Sequence, residues 1–211
     1  MSTAVILLAA GQGSRMNSDL PKVLHRLASA PLIAHALASA RAVEPERIVV
    51  VTGTGADQVD SALRALDPEL RIVRQTEQRG TGHAVAQAAP ELAGFEGDVI
   101  ILYGDTPFIQ PETLSAMLKA RRAGAAVVVL GFDSPSPGGY GRLITDGAGH
   151  LLAIVEAQDA TPAQRAITLC NCGVIATDAA LLPELLAAIG TDNAKNEYYL
   201  TDIVAIANAR G

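Results

Sequence analysis

Ala4-Val5-Ile6-Leu7-Leu8 runs without a break into Ala9-Ala10-Gly11-Gln12-Gly13-Ser14-Arg15-Met16, and then into Asn17-Ser18-Asp19-Leu20-Pro21-Lys22. A continuous apolar run that ends in a glycine-rich, cationic turn reads as a strand buried on both faces, as in parallel sheets. The same pattern repeats outward from it. Strands are expected over residues 47–52, 71–73, 98–102 and 125–131, with helices over 32–43, 56–66, 82–89 and 111–122 between them. Strands alternating with helices build βαβ units, so the fold class is α/β, a predominantly parallel sheet with helices on both faces. Ligands of such sheets bind outside the carboxyl ends of the strands. The segments that begin at Ala9 and at Tyr103 are therefore the expected site.

Beyond Phe132 the pattern changes. Residues 133–141 form a Pro/Gly-rich loop, short strands are expected over 142–145 and 151–155, and another strand lies near 169–176. Helices over 179–189 and 200–210 complete the chain. No flexible linker separates the two halves, so residues 1–211 read as a single domain.

Composition narrows the function. The net charge is −6, from 16 basic and 22 acidic residues. An acidic domain with scattered cations is a poor match to nucleic acid or an anionic membrane, so an anionic ligand must be held locally. The two cysteines, Cys170 and Cys172, are one residue apart and cannot supply the four ligands of a structural zinc. Reduced thiols in a cytoplasmic protein are expected. The first apolar run follows no basic segment and is too short to span a bilayer.

Three segments carry chemistry. The turn after the first strand has glycines that let backbone N–H groups approach a phosphate chain, with Arg15 and Lys22 adding positive charge. It could equally be a plain strand-to-helix turn. Met16 occupies the third glycine position of a dinucleotide fingerprint, and no Walker A motif is present. The second segment is Gln75-Thr76-Glu77-Gln78-Arg79-Gly80-Thr81-Gly82-His83-Ala84. A primary amide offers one donor and one acceptor to a pyrimidine edge, which suits Gln75 to uracil. Gly80 and Thr81 can offer backbone groups, or Thr81 can simply cap the next helix. The third is Leu102-Tyr103-Gly104-Asp105-Thr106-Pro107. A carboxylate just past a strand end is placed to hold Mg²⁺ together with phosphates, or to cap the turn before Pro107. Further on, Tyr140-Gly141-Arg142, Glu156 and Asn171-Cys172-Gly173 provide acceptors and donors of the kind sugar hydroxyls need, although each is also an ordinary turn or surface residue.

Leu8-Ala9-Ala10-Gly11-x-Gly13-Ser14-Arg15-Met16 followed by Pro21-Lys22 resembles the signature of the sugar-nucleotide pyrophosphorylases. Ser18-Asp19-Leu20-Pro21-Lys22-Val23-Leu24-His25 and Gly80-Thr81-Gly82-His83-Ala84 resemble the N-acetylglucosamine-1-phosphate uridyltransferase branch of that family. The resemblance implies a Rossmann-like nucleotide-diphospho-sugar transferase fold. It implies that Arg15 and Lys22 grip a triphosphate, and that the backbone of Leu8, Ala9, Ala10 and Gly11 lies against uridine. Gln75, Gly80 and Thr81 would flank the base. Tyr103, Gly104 and Asp105 would line the site, with Asp105 holding Mg²⁺. Gly141, Glu156 and Asn171 match the sugar-binding positions, and Asn196-Glu197-Tyr198-Tyr199-Leu200-Thr201-Asp202 would wall the sugar pocket. The chain departs from the pattern at Ser14, where Thr is usual, at Gln158, where a basic residue is usual, and at Cys172, where Thr or Ser is common.

The implied reaction joins UTP and N-acetylglucosamine 1-phosphate into UDP-N-acetylglucosamine and pyrophosphate, for cell-wall precursor synthesis in the cytoplasm. In this family an Asn further downstream is a second metal ligand, and a β-helix acetyltransferase domain that supplies most trimer contacts follows. Neither lies before Gly211, so the expectation is a shortened chain or one that has lost part of its metal site. A nucleotide-sugar-binding domain with little turnover, or a pyrophosphorylase for another sugar or base, remains the alternative.

Overall fold

The computed structural model describes residues 1–11, 13, 16 and 18–210; Gln12, Ser14, Arg15, Asn17 and Gly211 lie outside the described residues. The chain opens with strand β1 (Ser2–Ala9), followed by a two-residue hairpin of β2 (Arg26–Leu27) and β3 (Ala30–Pro31), and by α1 (Leu32–Arg41). Then come β4 (Arg47–Thr52), α2 (Ala56–Leu66), β5 (Arg71–Arg74), α3 (Thr81–Ala88), β6 (Gly97–Tyr103) and α4 (Pro111–Arg122). The second half holds β7 (Val127–Asp133), β8 (Arg142–Thr145), β9 (Leu151–Val155), α5 (Pro162–Arg165), β10 (Leu169–Asp178), α6 (Leu182–Ala187) and α7 (Ile203–Arg210).

The main sheet has eight strands, in the order β5-β4-β1-β6-β10-β8-β9, with β7 paired to β10. β1 pairs in parallel with β4 and with β6, and β4 with β5. The chain steps outward from β1 to β4 and β5, then returns to the other side of β1 as β6. In such sheets a crevice opens at the reversal, outside the carboxyl ends of the strands, which here are β1 and β6.

β10 runs antiparallel to both β6 and β7. This corrects the expectation that the 125–131 strand simply extends the parallel set. β7 keeps the direction of β6, but β10 is wedged between them. Along one edge β10 meets β6 through Ile175–Asp178 and β8 through Cys170, and its register shifts between Asn171 and Ile175. That irregularity takes Cys172, Gly173 and Val174 out of the ladder with β7 just after the paired Asn171, and sets Gly173 against Tyr103 at the end of β6. Two helices also differ from their expected spans. The 179–189 segment becomes helical only at Leu182, and the last helix is split into a 3-10 turn, Leu200–Asp202, and α7.

Alternation along β1 divides the core. Ala4, Ile6 and Leu8 face α3, α6 and α7 through Ala84, Val85, Leu182, Leu185 and Ile203. Val5, Leu7 and Ala9 face α1, α2 and α4 through Ile33, Leu37, Leu63, Leu114 and Met117. Ile6 and Leu7 are fully buried, each contributing about 1.5–3 kcal/mol relative to exposure. A smaller cluster of Leu143, Ile154 and Val204 packs the β8–β9 hairpin on α7. Among the described residues no helix is long and apolar enough to cross a membrane.

Candidate active site

Four strand ends are tied into one rim. Gly104 N–H donates to Leu8 O at 2.8 Å, Thr54 N–H to Ala10 O at 3.3 Å, and Gln75 N–H to Thr52 O at 2.7 Å. Gly104 is required by crowding: a Cβ there would stand 2.6 Å from Ile33 Cδ1 and 3.3 Å from Leu8 O. Leu8, Ala9 and Ala10 are buried, and Gly11 emerges from the end of β1 exposed, with open space around it.

Lys22 opens a single 3-10 turn, Lys22–Leu24, in which Val23 is buried. Val23 packs beside the Gly104 backbone, which holds the turn over the end of β6. Lys22 Nζ then lies 2.5 Å from Asp105 Oδ2, with the two side chains 33% and 28% exposed. Gly13 has φ +62° and its missing Cβ would stand 2.6 Å from Lys22 Cβ, so the glycine turn lies against the lysine stem. Arg15, the second expected cation, lies outside the described residues. Among the described residues no group of three or more His, Cys, Asp and Glu side chains is placed to form a metal cage.

Gln75, Gly80 and Thr81 are together, but two of them act differently from expectation. Gln75 is 4% exposed, and its Nε2 donates to Gly80 O at 3.0 Å while lying 3.0 Å from His83 Nδ1. Its donor half is thus engaged within the protein, and only the carbonyl oxygen remains to offer a base. Thr81 does not cap α3; Gly80 holds the N-cap position and no side chain caps it. The Thr81 hydroxyl instead accepts from Leu200 N–H at 3.0 Å. Gly82 N–H donates to Tyr198 O, and Tyr198 N–H to Arg79 O, both at 2.8 Å. A Cβ on Gly80 would come 2.6 Å from Tyr198 O, and one on Gly82 3.0 Å, so the glycines admit the 197–199 backbone.

Gly141, Glu156 and Asn171 lie together. A Cβ on Gly141 would stand 3.5 Å from Glu156 Oε1 and 3.6 Å from Asn171 Cβ, and Asn171 N–H donates to Gly141 O at 2.9 Å. Asn171 Oδ1 accepts from Gly173 N–H at 2.9 Å, and Gly173, at φ +98°, presses on the Tyr103 ring. Thr201 Oγ1 donates to Glu156 Oε1 at 3.2 Å. Thr201 was visible in the sequence only as part of a longer run; nothing in its local pattern singled it out.

Electrostatics separate this part of the crevice from the first. Burial pushes the Glu156 carboxyl up, against the Thr201 hydrogen bond and the Lys195 charge, which pull it down. Burial also raises Asp202, with Asp159 adding to it. The Tyr103 phenol is raised by burial, then by the Glu156 charge, and a hydrogen bond with Thr81 opposes both. Lys22 therefore supplies charge at the Asp105 end, while carboxylates crowd the far end.

Residues 5–191 match the model of the MobA-like NTP transferase domain. The chain is 62% identical over 211 residues to the "Bifunctional protein GlmU" of Dinoroseobacter shibae, across 100% of this chain and 47% of that protein. It is 60% identical over 208 residues to the protein of the same name from Paracoccus denitrificans, across 99% of this chain and 46% of that one. The chain thus spans about half the length of the curated relatives it matches. A solved UDP-glucose pyrophosphorylase complexed with UDP-glucose superposes with a TM-score of 0.78 at 20% identity, covering 100% of this chain and 88% of that one. That likeness shows a shared fold. With a match that takes in most of its length and a crevice at the strand ends that pairs a cation with a carboxylate, the chain belongs to the MobA-like NTP transferase domain family and is a nucleotidyltransferase.

Proposed function

We propose that this domain transfers uridylyl from UTP to N-acetylglucosamine 1-phosphate, giving UDP-N-acetylglucosamine and pyrophosphate. One observation carries the reading. Tyr103 stands between two chemically different halves of one crevice, with Lys22 and Asp105 at one end and Gly141, Glu156 and Asn171 at the other. The first suits a triphosphate and the second a neutral sugar. The names of the relatives at 62% and 60% identity agree with it, and a cytoplasmic role in cell-wall precursor supply follows from the same reading.

Lys22 and Arg15 are assigned to the triphosphate, with Lys22 leaving Asp105 when the phosphates arrive. Gln75 and the Gly80–Thr81 backbone take the base, with Leu8 to Gly11 against the uridine. Gly141, Glu156 and Asn171 hold the sugar. A single half-buried carboxylate with phosphate oxygens and water fits Mg²⁺, which needs no all-protein cage, and Asp105 is assigned to hold it. Bound there, Mg²⁺ would neutralise phosphate charge. A phosphate oxygen of the sugar 1-phosphate attacks the α-phosphorus in line, and the bond to pyrophosphate breaks. The nucleophile is already anionic, so no general base is needed, and positioning with charge neutralisation supplies the catalysis.

The test crosses four nucleoside triphosphates with several sugar 1-phosphates and measures pyrophosphate release. UTP with N-acetylglucosamine 1-phosphate should give the highest kcat/KM. A better rate with another base or another sugar would overturn the assignment.

A further inference from the structure

The orientation of the Gln75 amide is set by its neighbours. The atom 3.0 Å from Gly80 O faces a carbonyl that can only accept, so it is the NH₂ nitrogen. The same nitrogen lies 3.0 Å from His83 Nδ1. That ring nitrogen must accept, which puts the imidazole proton on Nε2. The other contact of the ring, Gln87 Nε2 at 3.3 Å, is longer and belongs to a half-exposed side chain. Gln87 Nε2 also lies 3.2 Å from His83 O, so turning that amide would set its oxygen against a carbonyl; the half-exposed side chain can instead swing toward solvent and leave the Nε2 proton to water. Gln75, buried and doubly tied, cannot turn without facing its oxygen to Gly80 O.

With both amide protons engaged, Gln75 can show a ligand only its Oε1, which accepts from none of the described residues. On the segment that Gln75 Nε2 holds through Gly80 O, the N–H groups of Gly80 and Thr81 donate to no described residue. An acceptor with free donors on the adjoining segment suits a uracil edge, where N3–H lies between two carbonyl oxygens. Cytosine presents a bare N3 at that place, and two acceptors would face each other. We infer that His83 is a positioning residue that makes the site uracil-selective, by holding the Gln75 amide with its oxygen toward the base. The inference rests on the uridylyl reading above. His83 acts through Gln75 and touches no substrate.

Calorimetry with UTP and with CTP on the wild-type chain, His83→Phe and His83→Asn tests this. The wild type should favour UTP. His83→Phe keeps a ring but loses the acceptor, and the UTP preference should fall about tenfold, the scale of one neutral hydrogen bond. His83→Asn places Oδ1 near the position of Nδ1 and should restore most of the preference. A long-range ¹H–¹⁵N spectrum of the wild type should show His83 with Nε2 protonated and Nδ1 bare, a readout independent of whether either variant folds. An unchanged preference in folded His83→Phe, or a protonated Nδ1, overturns the role of His83 and leaves the uridylyl reading standing. Equal UTP and CTP binding by the wild type overturns both.

Discussion

Strand β6 carries an aspartate near each end, and the surroundings of the two are opposite in kind. Asp98, at the N-terminal end, is fully buried, with Arg122 Nε at 2.7 Å and Arg121 Nε at 3.6 Å. Arg121 also pairs with Asp178, and Arg122 reaches Met1 O and Thr3 Oγ1, both at 3.2 Å, so the first strand, β6, β10 and α4 are knotted together there. Asp105, just past the other end, has one lysine partner and is 28% exposed. Guanidinium groups keep their charge and their planar geometry, whereas a lysine ammonium swings on a flexible stem and can be exchanged. The same charge pair is thus closed at the end that holds the fold and open at the end that meets a ligand.

Removing the charge at the closed end should give the largest effect. Asp98→Asn removes the fully buried carboxylate from Arg122 and leaves Arg121 with Asp178 alone, and should destabilise the fold by about 3 kcal/mol, the low end for a broken buried pair because neither guanidinium is fully buried. Urea denaturation would measure it, and a loss under about 1 kcal/mol would erase the contrast between the ends. At the open end Asp105→Asn should leave the denaturation midpoint nearly unchanged, because exposed pairs contribute about 0–1 kcal/mol. Turnover should instead fall about 10²-fold or more, the scale of losing a charge-stabilising group. Near-wild-type turnover at saturating Mg²⁺ would remove Asp105 from metal binding.

The contrast also explains what could be read from the amino-acid order. The open end is local: the strands, the glycine turns and the carboxylate follow one another, so the strand-end positions of Gly104 and Asp105 are legible from pattern alone. The closed end depends on β10, which wedges between β6 and β7 from far along the chain, and no periodicity within β7 or β10 announces that pairing. The β2–β3 hairpin is silent in the sequence for a different reason. Its turn is Ala28-Ser29, at φ +47° and +70°, where Asn or Gly would have signalled it. Local pattern leaves capping open for Thr81 because its actual partner, Leu200 N–H, is 119 residues away.

A third experiment probes how far the open end extends. Gln75 lies past β5 with only its carbonyl oxygen available, so Gln75→Ala should weaken UTP by roughly 1–3 kcal/mol through the lost contact and the unsatisfied Gly80–His83 groups. Effects on kcat should be smaller than effects on KM, since the base does not react. If UTP and CTP weaken equally, Gln75 does not read the base, and the open end stops at Asp105.

The smallest effect should come from Glu156, where the two behaviours meet in one side chain: burial disfavours its charge, yet Thr201 and Lys195 favour it. Because burial outweighs them, the folded carboxyl titrates above its value in the unfolded chain. The folded state takes up the proton first, so this contribution to stability is full below the unfolded value and is lost as pH rises through the folded one. Glu156→Gln keeps an acceptor for the Thr201 hydroxyl and removes the buried charge. It should therefore be slightly more stable than the wild type at neutral pH, by no more than about 1 kcal/mol, the size of one net hydrogen bond. The advantage should shrink as the pH falls below the carboxylate range. Sugar 1-phosphate affinity should drop in the same variant, since a sugar hydroxyl loses a charged acceptor. Thermal denaturation at a series of pH values, with KM measured for the sugar phosphate, separates the two consequences. A variant less stable than the wild type at neutral pH would show that the Glu156 charge supports the fold, as Asp98 does, and would move this residue to the closed side of the comparison.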